Sequence, residues 1–218
     1  MELIDPLIQQ PLEVNITGNS RHHGILVDIG TDVIVLYNGD DYLYIPIKHI
    51  KKIKKDERGK TVDNDKYLAL EHLSLRKILM KSRGVFAEIN VNGNENETVH
   101  GYVTNILNDY CVFYSPVYKT LYIPLHQLKW FIPYKNHQSP YTLERGMFSI
   151  FPSNLTLART LDIQLEKLKG QIIVLDLGLS TDKIGLLKGI SGNLIELATA
   201  RGDSLLTNIQ HIKSVHFQ

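Results

Sequence analysis

The 218-residue chain has one cysteine, one tryptophan and three methionines. Cys111 alone cannot close an intramolecular disulfide, so the fold does not depend on oxidation and suits a reducing compartment. No apolar run approaches the roughly 20 residues that a bilayer-crossing helix needs. The opening "MELIDPLIQQPLEV" carries Glu2 and Asp5 and brackets its short apolar run with prolines, a pattern of neither a signal nor a transit peptide. Cytoplasmic synthesis and no membrane contact are therefore expected. An excess of one charge sign is also missing: 24 basic and 23 acidic residues leave a formal net charge of +1. That is too little for a global field drawing in nucleic acid or anionic lipid. P-loop, GxSxG, GxGxxG and HExxH patterns do not occur. The composition present, 43% hydrophobic and 22% charged, is globular and excludes disorder throughout.

The strongest positive signal is repetition. Three segments overlay: "GILVDIGTDVIVLYNGDDYLYIPIKHIKKI", "GYVTNILNDYCVFYSPVYKTLYIPLHQLKWF" and "GLLKGISGNLIELATARGDSLLTNIQHIKSVHF". Gly24, Gly101 and Gly185 lead them, and Asp32, Asp109 and Asn193 follow eight residues on. Leu36, Phe113 and Leu197 come next, then Ile45, Ile123 and Thr207 or Leu206, and finally Ile50, Leu128 and Ile212. Units spaced this widely are small domains rather than solenoid turns.

Within each unit the apolar residues alternate at period two, as half-buried strands require, and the Asn38-Gly39 pair is a hairpin turn signal. A further strand precedes each leading glycine: "LEVNI" from Leu12, "VFAEINV" from Val85 and "QIIVLDL" from Gln171. Two of these follow helical patterns. "DKYLALEHLSLRKILMKSRG" places Leu68, Leu75, Ile78 and Leu79 near one face with Gly84 as stop, and "PSNLTLARTLDIQLEKLKG" has Ser153 or Asn154 as N-cap and Gly170 as stop. Pro46 and Pro124, lacking an amide, mark a strand edge or bend. The expected fold is mainly β with short helices, as three tandem small Sm-like or SH3-like β-barrel units over 1–55, 66–135 and 152–218, each curling its sheet to hide the edges.

The repeated leading glycine, the Asp that follows, the Tyr-Ile-Pro strand and the terminal "HI" with lysine resemble the repeated N-terminal region of the Bacillus spore coat protein B family. The loop before the leading glycine departs from that family's Gly-Gly-Pro-Glu, reading "TGNSRHHG" and "NGNENETVHG" here. The resemblance implies a structural role in the spore coat, through other coat proteins or self-association, with no catalysis and no cofactor.

Single residues offer little reaction chemistry. A metal site needs three or four converging ligands, and neighbours such as His22 and His23 point to opposite sides of a strand. His49 and His211 occupy equivalent positions and suggest a shared hydrogen-bonding role. Asp32, Asp109 and Asn193 suit turn closure by their own side chains. Cys111 lies mid-strand and reads as an inert buried thiol. "RGD" at Arg201 to Asp203 falls in a hairpin loop. The expectation is therefore a non-enzymatic protein that offers Tyr42, Tyr44, Tyr118, Tyr122 and Trp130 to partners. The basic run "HIKKIKKDERGK" adds Lys51, Lys52, Lys54 and Lys55 as possible anion contacts. A nucleic-acid-binding Sm-like protein is the alternative. It is disfavoured because no aromatics interleave the run and the other units do not repeat it.

Overall fold

The leading glycines lie where the sheet leaves no room for a side chain. A Cβ on Gly24 would stand 2.6 Å from the Tyr37 carbonyl oxygen, and one on Gly185 would stand 2.7 Å from that of Ala198. On Gly101 it would run into the Tyr114 carbonyl. The crowding carbonyl lies thirteen residues downstream in every case. A computed structural model describes residues 3–57, 67, 71–95, 97–134, 141 and 156–217. It is mainly β and antiparallel, with two short α-helices, and divides into two compact units: Met1–His100 with Leu128–Pro140, and Gly101–Gln127 with Tyr141–Gln218.

In the first unit, β1 (Pro11–Ile16), β2 (Arg21–Ile29), β3 (Val33–Tyr37), β4 (Tyr42–Pro46) and β5 (Ile50–Lys55) precede α1 (Leu75–Lys81) and β6 (Phe86–Asn90). β7 (Thr98–Ile106) carries the chain into the second unit, where β8 (Tyr110–Ser115) and β9 (Lys119–Pro124) follow. β10 (Trp130–Pro133) belongs to the first unit, whose strand order is β6-β10-β4-β3-β2-β1-β5. The second unit continues with α2 (Leu161–Glu166), β11 (Ile172–Leu175), β12 (Ile184–Ser191), β13 (Leu194–Ala198), β14 (Ser204–Asn208) and β15 (Val215–Phe217). Its order is β14-β13-β12-β11-β15-β9-β8-β7.

The repeat is visible in the hydrogen bonding. The register of β2 on β3 shifts between Leu26 and Asp28, that of β7 on β8 between Val103 and Asn105, and that of β12 on β13 between Leu187 and Gly189. Each bulge falls three residues after a leading glycine. Ile47, Leu125 and Ile209 donate their amides to the carbonyls of Asp32, Asp109 and Asn193 at 2.9, 2.8 and 2.8 Å. β4 ends at Pro46, and a 3-10 turn over Ile47–His49 leads into β5; Asn208 and the turn Ile209–His211 do the same before β15. The expected bend thus exists, and proline ends the strand where its missing amide costs no ladder bond. Asn38 Oδ1 accepts the amides of Asp40 and Asp41, and Gly39 has φ +107°, so the Asn-Gly hairpin forms as its residues dictate.

The helices are shorter than the apolar pattern suggests. α1 starts at Leu75, with Ser74 Oγ accepting the Lys77 amide; α2 starts at Leu161, and residues 156–160 ahead of it are not helical. Ser153 and Asn154, expected as caps, lie outside the described residues, as do Leu68 and the Arg58 and Lys60 of the basic run. Gly84 and Gly170 have φ +73° and +82°, but they lie three and four residues past the ends of α1 and α2, beyond the position that closes each helix. "QIIVLDL" is a strand only to Leu175, and a 3-10 turn over Asp176–Gly178 follows it. Before β1 stands a 3-10 turn over Asp5–Leu7.

Each unit has its own core. Leu12, Val14, Ile16, Leu26, Ile34, Leu36, Ile45 and Trp130 cluster in the first. Tyr110, Tyr122, Leu165, Leu175, Leu187, Leu197 and Ile212 cluster in the second. Each fully buried aliphatic contributes about 1.5–3 kcal/mol by leaving water. No helix among the described residues is long and apolar enough to cross a membrane.

Candidate functional site

The aspartates of the repeat do more than close a turn. Asp32 Oδ1 accepts the amide of Leu75, 43 residues on, at 2.8 Å, and Asp109 Oδ1 accepts that of Leu161, 52 residues on, at 3.0 Å. Both amides open a helix, so each carboxylate satisfies an N-terminal donor that the helix leaves unpaired. The bonds Thr31 N to Leu73 O at 2.8 Å and Asn108 N to Arg159 O at 3.0 Å lie alongside at equivalent positions. This corrects the turn-closing role expected of the two side chains, because their partners are distant in the chain. The histidines also part company. His49 is 7% exposed, with Nδ1 3.3 Å from Thr17 Oγ1 and 3.2 Å from Lys129 Nζ, whereas His211 is exposed.

Of the five aromatics expected to meet partners, two belong to the interior. Trp130 is 2% exposed, donates Nε1–H to Glu88 at 3.1 Å and meets His22 edge-on with ring centroids 4.6 Å apart. Tyr122 is fully buried, accepts from Gln164 Nε2 at 3.3 Å and has Tyr110 and Phe217 rings at 5.7 and 5.9 Å. Gln164, also buried, accepts the Ala158 amide at 2.7 Å through Oε1, completing a polar network that the sequence did not announce. Neither ring is a free surface: Trp130 packs in the core of the first unit and Tyr122 in that of the second. Tyr42, Tyr44 and Tyr118 remain half-buried. Burial, with the neighbouring Tyr42 and Asp28, pushes the Tyr44 phenol up to about 12.

Burial also pushes the Cys111 thiol up to about 12. Among the described residues no group of three His, Cys, Asp or Glu is placed to hold a metal. Lys51, Lys52, Lys54 and Lys55 are exposed on β5, which pairs with β1. Lys54 Nζ reaches Glu13 at 3.0 Å; that bond, with help from Asn15 and Arg21, holds the Glu13 carboxyl below its ordinary range.

The arrangement of most consequence is a strand seam that occurs twice. In the first unit β10 pairs with β4, Phe131 opposite Tyr44. In the second, β15 pairs with β9, Val215 opposite Tyr122 and His216 opposite Leu121. Tyr44 and Tyr122 are the same repeat position, as are Phe131 and Val215, so both seams share one register. Among the described residues, the strands at repeat-equivalent positions that have no such partner are β14, which pairs with β13, and β5, which pairs with β1. There Leu206 takes the place of Tyr44 and Tyr122, and Ile53 that of Phe131 and Val215. Leu206 is 68% exposed, while Tyr122 is 0%. A repeat overlay alone leaves Leu206 and Thr207 as alternatives for the position of Ile45. The pairing of Leu197 with Leu205 aligns Thr207 there and frees Leu206 for the edge.

A family model described as the YwrJ third domain matches residues 160–215. The uncharacterized protein YwrJ of Bacillus subtilis (strain 168) is 39% identical over 225 residues, covering 99% of this chain and 99% of that protein.

Proposed function

The chain belongs to the YwrJ family, and we propose that it is a non-enzymatic assembly protein of the spore-coat type. In this reading it consists of three tandem Sm-like barrel units over 1–55, 66–135 and 152–218, which act through protein–protein contacts. The observation that carries the proposal is the seam repeated in one register, Phe131 on Tyr44 and Val215 on Tyr122. A chain that joins its own repeats by adding a fifth strand to a fourth has surfaces suited to joining other strands, since an unpaired edge offers a row of backbone donors and acceptors. The description of the matched model as a third domain, over 160–215, agrees with the interval expected for the third unit.

A tagged chain expressed in sporulating Bacillus cells tests the role. It should fractionate with the coat layers and resist extraction until they are dissolved. Recovery only from vegetative cytosol would end the coat reading. The nucleic-acid reading is favoured by one feature, the four exposed lysines of β5. It would be adopted if oligouridylate or oligoadenylate bound below about 1 µM and binding weakened when Lys51, Lys52, Lys54 and Lys55 became serine, since specific nucleic-acid modules reach that range.

A further inference from the structure

We propose that β14 of one copy pairs with β5 of a second copy, antiparallel, with Leu206 opposite Ile53. The inference takes from the proposed function only the idea that strand edges are the working surface. It stands or falls without the spore coat.

Three observations converge on a second copy as the occupant. First, the chain makes this junction with itself twice, and β14 and β5 are the fourth and fifth strands for which no described partner repeat exists. Second, the backbone polarity fits. Asp56 donates its amide to Pro11 on β1, so alternation along β5 turns the amides of Lys55 and Ile53 away from β1. Ile209 donates to Asn193, and Asp203 accepts from Thr199, so the odd-numbered residues of β14 face β13 and Leu206 faces away. The outward groups of Ile53 and Leu206 can therefore exchange both hydrogen bonds, as can those of their counterparts in the two seams. Third, burial tracks coverage. Leu121 and Tyr122 are buried where β15 pairs with them and Tyr44 is half-buried beneath Phe131, while Leu206, at the same repeat position as both tyrosines, is exposed.

Charge selects the pairing. Two β5 edges would oppose four lysines with four lysines, which blocks a like-with-like contact. β14 carries no basic residue, and in this register Ser204 stands opposite Lys55 and Asn208 opposite Lys51, so the lysine-on-lysine opposition is absent. The contact is heterologous, so copies joined by it either close into a ring or extend.

The test uses the purified full chain. Leu206→Cys with Ile53→Cys should form an intermolecular disulfide on mild oxidation, because directly opposed hydrogen-bonded residues have Cα atoms about 5.5 Å apart, within disulfide reach. Leu206→Cys with Lys51→Cys, two residues out of register, should not. Cys111 is buried and does not compete.

Leu206→Pro and Ile53→Pro each remove an outward amide while leaving the ladders to β13 and β1 intact. Each variant alone should be monomeric on size exclusion, and an equal mixture should recover a heterodimer, because each retains the edge that the other lacks. A misfolded variant would not complement, and circular dichroism of each confirms the strand content. Absence of the in-register disulfide, or a wild type that stays monomeric up to about 1 mM, a range that includes even weak association, overturns the proposal. So does oligouridylate occupying β5 of a monomer. Disulfide formation in a protein that never enters the coat would keep the pairing and remove only the coat role.

Discussion

At the scale of single residues, the glycines and the buried ring systems carry the clearest energetic commitments. Gly101→Ala forces a methyl group into the Tyr114 carbonyl. Backbone on both sides must move, and overpacking of that kind costs about 1–3 kcal/mol. Urea unfolding should show that loss for Gly101→Ala and almost none for Gly189→Ala, where a Cβ meets nothing.

His22, packed against Trp130, has its pKa lowered, chiefly by burial and also by His23, with Glu95 pulling the other way. A folded-state pKa below the unfolded value of about 6.5 means that the unfolded chain binds the extra proton first. The stability from neutral His22 is therefore complete above about pH 6.5 and is lost as pH falls through the lower folded value. His22→Gln should remove that part of the slope between pH 7 and pH 5, as read from melting temperatures across the range. Identical slopes in both proteins would show that the histidine is not a buried neutral group.

At the scale of elements, strand positions were legible because alternation, the Asn-Gly turn and the "IP" steps each have a local cause. The three segments quoted from the repeat run from within β2 into β5, from within β7 into β10 and from within β12 to the end of β15. The bulge after each leading glycine was not legible, since an extra residue in a ladder leaves no compositional mark. Helix extents were overread: the apolar spacing ahead of Leu75 and Leu161 looks helical, but residues 71–74 and 156–160 are not helical, and α2 begins where Asp109 supplies the acceptor for its first amide. Recognising that link requires knowing a contact 52 residues long. Trp130 and Tyr122 were misjudged for the same reason, because the core residues packed against them come from distant parts of the chain. Asp109→Ala should cost about 1 kcal/mol, the ordinary worth of a helix-capping acceptor. Asp109→Asn, which keeps an oxygen at that place, should cost less. Equal losses for the two would mean that the carboxylate's charge, not its hydrogen bond, holds α2.

At the scale of the whole molecule, near-neutral charge and a single buried cysteine leave backbone edges as the features with most to offer a partner. The lysines of β5 are consistent with this, since they deter indiscriminate edge-to-edge pairing, and Leu206 is an apolar side chain left in water on the complementary strand. What the sequence legibly provided was the repeat. Which repeat strands stay unpaired, and therefore where assembly would proceed, depends on pairings between residues as distant as Tyr44 and Phe131. Sedimentation equilibrium of the purified wild-type chain over a range of concentrations tests the assembly account most directly. The account predicts species at twice the 24.9 kDa chain mass or a higher multiple, growing with concentration and lost in Leu206→Pro. A single species at the chain mass at every concentration would contradict it.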